Sequence, residues 1–240
     1  MLPPKKNKKV GRGIAPAEKS EKVRRKKSVQ IYYEDEDIVV CEKPYGVSSQ
    51  SSGGENMVDI LSELCKCEIY PIHRLDITTD GVMIYAKNRH SAAFFSNAAP
   101  ERRFEKEYLC VVHGTTEKSG EMTDLLWHDR VKNKTFVVNS TRAGVKEAKL
   151  AFWTLETNLE KSLSLIRVKL FTGRTHQIRA QFANASHPLY SDGKYGAKDN
   201  GRIALHSYKI TFTHPTSKKK MTFKSLPSDE IFNLFDMKCL

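Results

Sequence analysis

Apolar residues along the chain form several short runs that are typical of buried strands. Residues 38–41 and 82–86 are apolar almost without interruption, whereas residues 29–33 alternate with the two-residue period of a half-buried strand. Further extended segments are predicted at residues 107–113, 136–139, 148–155, 163–171, 203–212 and 221–223. Strands therefore predominate in the predicted structure.

Apolar residues at helical spacing are confined to fewer segments. Their recurrence predicts an amphipathic helix over residues 56–66. A second helix is predicted over residues 89–99, before Pro100. Residues 175–185 and 228–235 are also predicted to be helical, and Thr175 is a candidate N-cap residue.

Many of the predicted strands follow one another without a helix between them. This order favours an α+β fold on a largely antiparallel mixed β-sheet with flanking helices and loops. A length of 240 residues suits one large domain with appendages better than two full domains. We expect one folded domain over residues 29–240.

Positive charge is concentrated at the N-terminus. Residues 1–28 contain eleven Lys and Arg against two Glu, which accounts for +9 of the net charge of +12 and leaves +3 for the other residues. The segment has little apolar periodicity and contains three Pro and two Gly, so we predict a disordered basic tail. It is either a solvated tail or a salt-sensitive contact to a polyanion.

The five cysteines are odd in number and irregular in spacing, which predicts neither a disulfide framework nor a paired zinc site. No apolar run approaches the roughly 18 residues of a membrane span. The basic N-terminus also lacks the apolar core of a secretory signal. A cytoplasmic protein is expected.

Reactive side chains are concentrated in three segments, which are residues 73–81 (HRLDITTDG), 106–108 (KEY) and 173–179 (GRTHQIR). In the first, Asp76 could act as a nucleophile or base, and Arg74 could keep it ionised. The structural alternative is that Asp76 or Thr79 caps a turn while Arg74 forms a surface ion pair.

The second and third segments also allow structural explanations. Tyr108 shares a strand face with Cys110 and Val112, which is typical of core packing with a satisfied hydroxyl. The third segment could bind an anion through backbone amides at the start of a helix. His176, within it, could equally be a structural hydrogen-bonding residue.

Two other chemistries are possible but poorly supported. A metal site built from His73, Asp76 and His176 lacks an accompanying helical His-x-x-x-His or Cys cluster. A glycosidase pair of Asp76 and Asp80 lacks any sign of the opposed geometry that such chemistry needs.

Taken together, the three segments resemble the signatures of the RluA family of pseudouridine synthases, and they occur in that family's order. Residues 73–81 are similar to its catalytic loop, residues 106–114 to its tyrosine strand and residues 173–196 to its third signature. The resemblance extends from about residue 31 to about residue 227. Asp80 departs from the pattern, since the family usually has serine there.

The resemblance implies an enzyme that converts specific uridines of rRNA or tRNA to pseudouridine, with no metal and no cofactor. Asp76 would be the nucleophile, and Arg179 would pair with it and keep it charged. Tyr108 would stack on the flipped base and remove its C5 proton.

The resemblance also implies residues that bind the substrate. Arg74 would fill the gap left by the flipped nucleotide, Leu205 would form an apolar wall, and Arg174 and Gln177 would support the backbone or a loop. We expect a monomer with the catalytic domain alone, since residues 1–28 are too short and polar to form an accessory RNA-binding domain.

Two other functional classes remain open from the sequence. One is a noncatalytic RNA-binding protein that has kept the fold, and the other is an unrelated metal-dependent hydrolase.

Overall fold

The computed structural model describes residues 29–51, 53–96 and 104–240. The predicted basic tail lies outside these residues, as does the predicted end of the second helix near residue 99. Within them, one mixed sheet contains the strands β1 Ile31–Glu34, β2 Ile38–Lys43, β3 Tyr70–Pro71, β4 Asp80–Ala86, β5 Phe104–His113, β6 Ser119–Asp129, β7 Lys134–Val138, β8 Val145–Asn158, β9 Leu163–Leu170, β10 Leu205–Thr213 and β11 Lys220–Lys224.

Three α-helices flank the sheet in the described part of the chain: α1 Met57–Cys65, α2 Arg89–Ser96 and α3 Gln177–Asn184. Short 3-10 turns occur at Gly193–Tyr195, Glu230–Leu234 and Met237–Cys239. Among these helices, none is long and apolar enough to cross a lipid bilayer.

The strand order is β1-β2-β4-β10-β5-β9-β8-β6-β7, with β11 pairing with β10 and β3 with β4. Every pair of named strands is antiparallel except β4 and β10, which run parallel where Asp80 lies opposite His206. The predicted α+β class and largely antiparallel mixed sheet are therefore confirmed.

Both faces of the central strands are covered, which explains their uninterrupted apolar sequences. On one face, Met57 of α1 and Phe182 of α3 pack in one core with Tyr108. On the other face, Phe95 of α2 packs against β4 and β10, and the C-terminal segment adds Phe232. Because side chains alternate across a strand, a sheet buried on both faces needs apolar residues at successive positions.

The structure corrects three details of the sequence prediction. Strand β6 was not predicted, because its outer half alternates exposed polar with half-buried residues and its place depends on pairing with β7 and β8. Thr175 does not cap α3, since His176 occupies the N-cap position with φ of 53° and no side-chain cap is formed. The predicted C-terminal helix is a 3-10 turn.

The three central strands bring distant sequence segments together. The loop that contains Asp76 leads into β4, Leu205 is the first residue of β10, and Tyr108 lies on β5. These strands are adjacent in the order β4-β10-β5. Side chains that are far apart in the sequence therefore meet at one end of β4 and β10.

Gly81 allows β4 and β10 to approach closely. Its φ is +113°, and a Cβ atom there would lie 2.7 Å from Ser207 N and nearer still to Ser207 O. We expect Gly81→Ala to lower the free energy of unfolding by roughly 2–4 kcal/mol, through backbone strain and overpacking. Denaturant unfolding should show a much smaller effect for Gly54→Ala, where a Cβ meets nothing within 4 Å. Equal effects would contradict this explanation.

Candidate active site

A cavity of about 330 Å³ lies where the Asp76 loop, β5, β10 and the start of α3 converge. All seven side chains predicted as catalytic or substrate-binding line this cavity: Arg74, Asp76, Tyr108, Arg174, Gln177, Arg179 and Leu205. The structure thus brings together residues from segments separated by more than one hundred positions in the sequence.

Asp76 lies in a tight turn, but its carboxylate does not cap that turn. The turn is closed by the Thr79 amide, which donates to the backbone oxygen of Asp76 at 3.0 Å. The carboxylate lies 3.5 Å from Arg179 Nη1 and 3.7 Å from His176 Nε2, and the side chain is 16% exposed. Asp76 is therefore a partly buried anion that faces the cavity.

Arg179 is held mainly by a residue other than the predicted partner. Its Nε and Nη2 atoms donate to the two carboxylate oxygens of Asp192 at 2.6 and 2.8 Å, and both side chains are almost completely buried. Burial opposes the charge of Arg179, but the hydrogen bond and charge of Asp192, followed by the charge of Asp76, raise the pKa of the guanidinium. The predicted contact with Asp76 is present, but at 3.5 Å it is longer than both hydrogen bonds to Asp192.

Asp192 was not assigned this role from the sequence. It belongs to the third family signature, thirteen positions after Arg179, and no local pattern links the two residues. Only the fold, which returns the chain from α3 to the cavity, reveals the pair.

His176 presents a neutral ring to Asp76. The backbone amide of Thr135 donates to the Tyr195 hydroxyl oxygen at 2.8 Å, and this hydroxyl lies 3.0 Å from His176 Nδ1. The hydroxyl can therefore donate to Nδ1, which leaves the ring proton on Nε2, towards Asp76. Burial lowers the pKa of His176 to about 4, with further lowering by Arg179, although Asp76 acts in the opposite direction.

Tyr108 forms part of the cavity wall. Burial, and then the charge of Asp76, raises the pKa of its hydroxyl well above the usual value. Core packing predicted a satisfied hydroxyl, yet the described residues provide no hydrogen-bond partner for it. Tyr108 does pack with Cys110 and Val112 in one core, as its strand position predicts. Leu205, 6% exposed, is the apolar wall residue of β10.

Two of the remaining predicted residues organise the loop before α3. Gln177 Oε1 accepts hydrogen bonds from the Thr172 hydroxyl at 2.8 Å and the Arg174 amide at 3.0 Å. Arg174 Nε donates to the backbone oxygen of Glu147 at 2.9 Å. These contacts fit the predicted support of a loop.

Arg74 is exposed at the cavity rim. Among the described residues it forms no ion pair, so the alternative of a surface salt bridge gains no support.

Lys106 and His73 are polar cavity residues to which the family resemblance assigns no role. Lys106 forms no ion pair with the described residues, and burial lowers its pKa. His73 Nε2 accepts from the Ile84 amide at 3.3 Å, while its buried Nδ1 has no partner. Burial, followed by the charge of Lys106, lowers the pKa of His73 to about 3. The ring is thus neutral at physiological pH.

The other chemistries considered from the sequence find no support in the geometry. Within residues 29–51, 53–96 and 104–240, no group of three His, Cys, Asp or Glu side chains could hold a metal ion. Asp80 pairs with His206 at 2.9 Å and lines a different cavity from Asp76. The two carboxylates therefore do not lie on opposite sides of a common substrate site, as a glycosidase pair would.

Residues 37–184 match the family model for RNA pseudouridylate synthase. The chain belongs to this family. The match spans the Asp76 loop, Tyr108 and Arg179, and it confirms the family that the sequence motifs predicted.

Curated relatives agree with this assignment. The chain is 35% identical over 208 residues to an uncharacterized RNA pseudouridine synthase of Mycoplasma pneumoniae, covering 82% of this chain and 66% of the relative. It is 31% identical over 206 residues to the ribosomal large subunit pseudouridine synthase C of Buchnera aphidicola subsp. Schizaphis graminum, with 80% and 65% covered. The chain thus spans about two thirds of the length of these relatives.

A solved human structure, RNA Pseudouridylate Synthase Domain Containing 1, has the same fold. It aligns with a TM-score of 0.72 and 22% identity, covering 83% of this chain and 84% of the human chain. This likeness supports the α+β architecture of the chain.

Asp192→Asn should destabilise the protein because it leaves the buried Arg179 with an incomplete counterion. We expect the free energy of unfolding to fall by roughly 3–5 kcal/mol in denaturant titrations. The matched change Glu121→Gln disrupts an exposed ion pair with Lys149 and should cost less than about 1 kcal/mol. Similar losses for the two variants would show that burial does not determine the importance of the Asp192 pair.

The neutral ring of His176 should make stability depend on pH. Its folded-state pKa of about 4 lies below the reference value of 6.5, so the unfolded chain binds the proton first and stability falls as pH drops through this window. His176→Asn should reduce that fall by up to about 2 kcal/mol. Denaturant unfolding at several pH values measures this difference, with His90→Asn, at an exposed position of α2, as the control. If the unfolding free energies of the wild-type and His176→Asn proteins changed in parallel with pH, the neutral state of His176 would be contradicted.

Proposed function

We propose that this protein isomerises uridine to pseudouridine in RNA, with Asp76 as the nucleophile. The observation that supports this most strongly is the position of the Asp76 carboxylate in the cavity, 3.5 Å from an arginine whose other donors are held by Asp192. Nucleophilic attack uses a carboxylate anion, and Arg179 places a positive charge beside this one.

The reaction needs no external reactant. The N-glycosidic bond of the target uridine breaks, the base rotates, and a bond forms between C5 of the base and C1′ of the ribose. Loss of the C5 proton then restores the aromatic base while N1 gains a proton, so there is no net oxidation or reduction. This balance is consistent with the expectation that neither a metal nor a cofactor takes part.

We assign Tyr108 as the residue that stacks on the base and removes the C5 proton. Tyr108 lines the cavity, and its hydroxyl has no hydrogen-bond partner among the described residues, which leaves it available to a ligand. In the free protein, burial and the charge of Asp76 both raise its pKa. Covalent bond formation would neutralise Asp76 and remove the second of these causes. The phenol would then pass its own proton on, with N1 of the base as the final acceptor, and the phenolate would take the C5 proton.

The target nucleotide must leave its stack to enter the cavity, at a cost of about a few kcal/mol. Arg74 is exposed at the cavity rim, where its side chain would occupy the gap that the flipped nucleotide leaves in the RNA. Leu205 would bound the base on its apolar side, while Arg174 and Gln177 hold the adjoining loop.

We propose rRNA or tRNA as the substrate. The Buchnera relative is named for the ribosomal large subunit, which supports the first of these. The monomeric state, the cytoplasmic location and an RNA contact by residues 1–28 stay predictions from the sequence.

Asp76→Asn tests the nucleophile directly, because it keeps the size of the side chain and removes its charge. Pseudouridine formation on unmodified rRNA and tRNA transcripts should fall by roughly a thousandfold or more. RNA affinity should change little, since most contacts would be to phosphates and stacked bases.

Asp80→Asn provides a control from the same loop, because Asp80 faces a different cavity. It should retain most of the activity once melting curves show that both variants are folded. A folded Asp76→Asn protein with near wild-type activity would remove the proposed nucleophile. A wild-type protein that binds RNA but modifies none would favour the noncatalytic alternative.

A further inference from the structure

A second cavity, of about 300 Å³, adjoins the candidate active site. Gly173, Arg174 and Thr175 line both cavities and form the boundary between them. The Thr135 hydroxyl donates to the backbone oxygen of Thr175 at 2.8 Å, so this boundary is tied to β7. Gly173 has no side chain, and a Cβ added there would meet only Lys106 Nζ, at 3.4 Å. The boundary between the two cavities therefore carries no side chain at this position.

The second cavity is lined by positive charge. Arg130, Lys146 and Arg174 line it together with His128, and no carboxylate is among its described lining residues. None of the three cations forms an ion pair in the part of the chain that the structure describes. Arg130 and Lys146 are exposed, so their charges are available to an anion from solvent.

The rim of the second cavity adds an aromatic surface. Trp127 on β6 is covered by the guanidinium of Arg142 at 4.6 Å from the ring centroid. Gly144, a lining residue, lies beside the same indole ring, since its Cβ position is 3.8 Å from that ring. Trp127 is half-buried, and the Arg142 guanidinium on its face adds a further positive charge at this rim.

We propose that the second cavity binds the phosphodiester backbone of the nucleotide next to the target uridine. The inference rests on the proposed function, because a uridine in the first cavity remains covalently joined to its neighbours. A chain of phosphates that leaves the first cavity over Gly173 meets Arg174 at the boundary and then Lys146 and Arg130. Cations placed along this path position the RNA without reading its sequence.

The first test compares two full-length double variants. Arg130→Gln with Lys146→Gln removes two cations of the cavity, and Lys161→Gln with Lys219→Gln removes two exposed cations from the turns after β8 and β10. Binding to a labelled mixed-sequence RNA oligonucleotide is measured across salt concentrations, and KM is measured on unmodified rRNA and tRNA transcripts.

The cavity variant should bind roughly tenfold more weakly at low salt, with a parallel rise in KM. The slope of log affinity against log salt should become shallower by about 0.7 for each phosphate that the variant no longer neutralises. The control variant should show at most a small change. Equal slopes and KM values for the two variants would overturn the proposal.

A second test examines whether the cavity binds the neighbouring phosphate. After wild-type protein has located a modified uridine, neutral methylphosphonate linkages are placed beside it in a synthetic substrate. A linkage that raises KM for wild-type protein should have little further effect on the cavity variant, because that variant already lacks the cations that would bind the phosphate. Fully additive effects at both linkages would overturn the assignment.

These outcomes separate the two proposals. If wild-type protein modifies RNA and the cavity variant matches the control, only the second cavity is misassigned. If wild-type protein makes no pseudouridine but the cavity variant alone loses salt-dependent affinity, the proposed function fails while an RNA-binding cavity remains.

Discussion

Asp192 holds Arg179 through two short hydrogen bonds in the protein interior, and the electrostatics of the cavity depend on this ion pair. A buried guanidinium without a counterion would be strongly destabilising. Because Asp192 occupies Nε and Nη2, the remaining Nη1 faces Asp76 at 3.5 Å. If Asp76 loses its charge on forming a covalent bond, Arg179 still has a counterion. Asp192 therefore provides Arg179 with a counterion in both charge states of the proposed nucleophile.

Asp76 is the one carboxylate among the described residues that line the cavity. His176 is neutral and directs its remaining proton towards that carboxylate. Tyr108 keeps its proton while Asp76 is charged, and Lys106 has no carboxylate partner among the described residues. Burial acts on all three side chains and favours the uncharged form of each.

The features that could be predicted from the sequence are those determined by residues close together in the chain. The buried strands β2 and β4 were predictable because uninterrupted apolar residues reflect burial on both faces. Strand β6 was not, since its polar outer half is extended only through its neighbours. The motifs identified Asp76, Tyr108 and Arg179 by resemblance. The ionic role of Asp192 and the hydrogen-bond chain through Tyr195 required the three-dimensional path of the chain.

The parallel contact between β4 and β10 also has a consequence for how the protein folds. It joins Asp80 and His206, which are 126 positions apart in the sequence, and β10 lies between β4 and β5. Closing so long a loop carries an entropic cost before any contact is gained, and such contacts slow folding. During synthesis, β4 and β5 leave the ribosome well before β10 does. We therefore expect the Asp76 loop to acquire its final position late, when β10 inserts between two strands made much earlier.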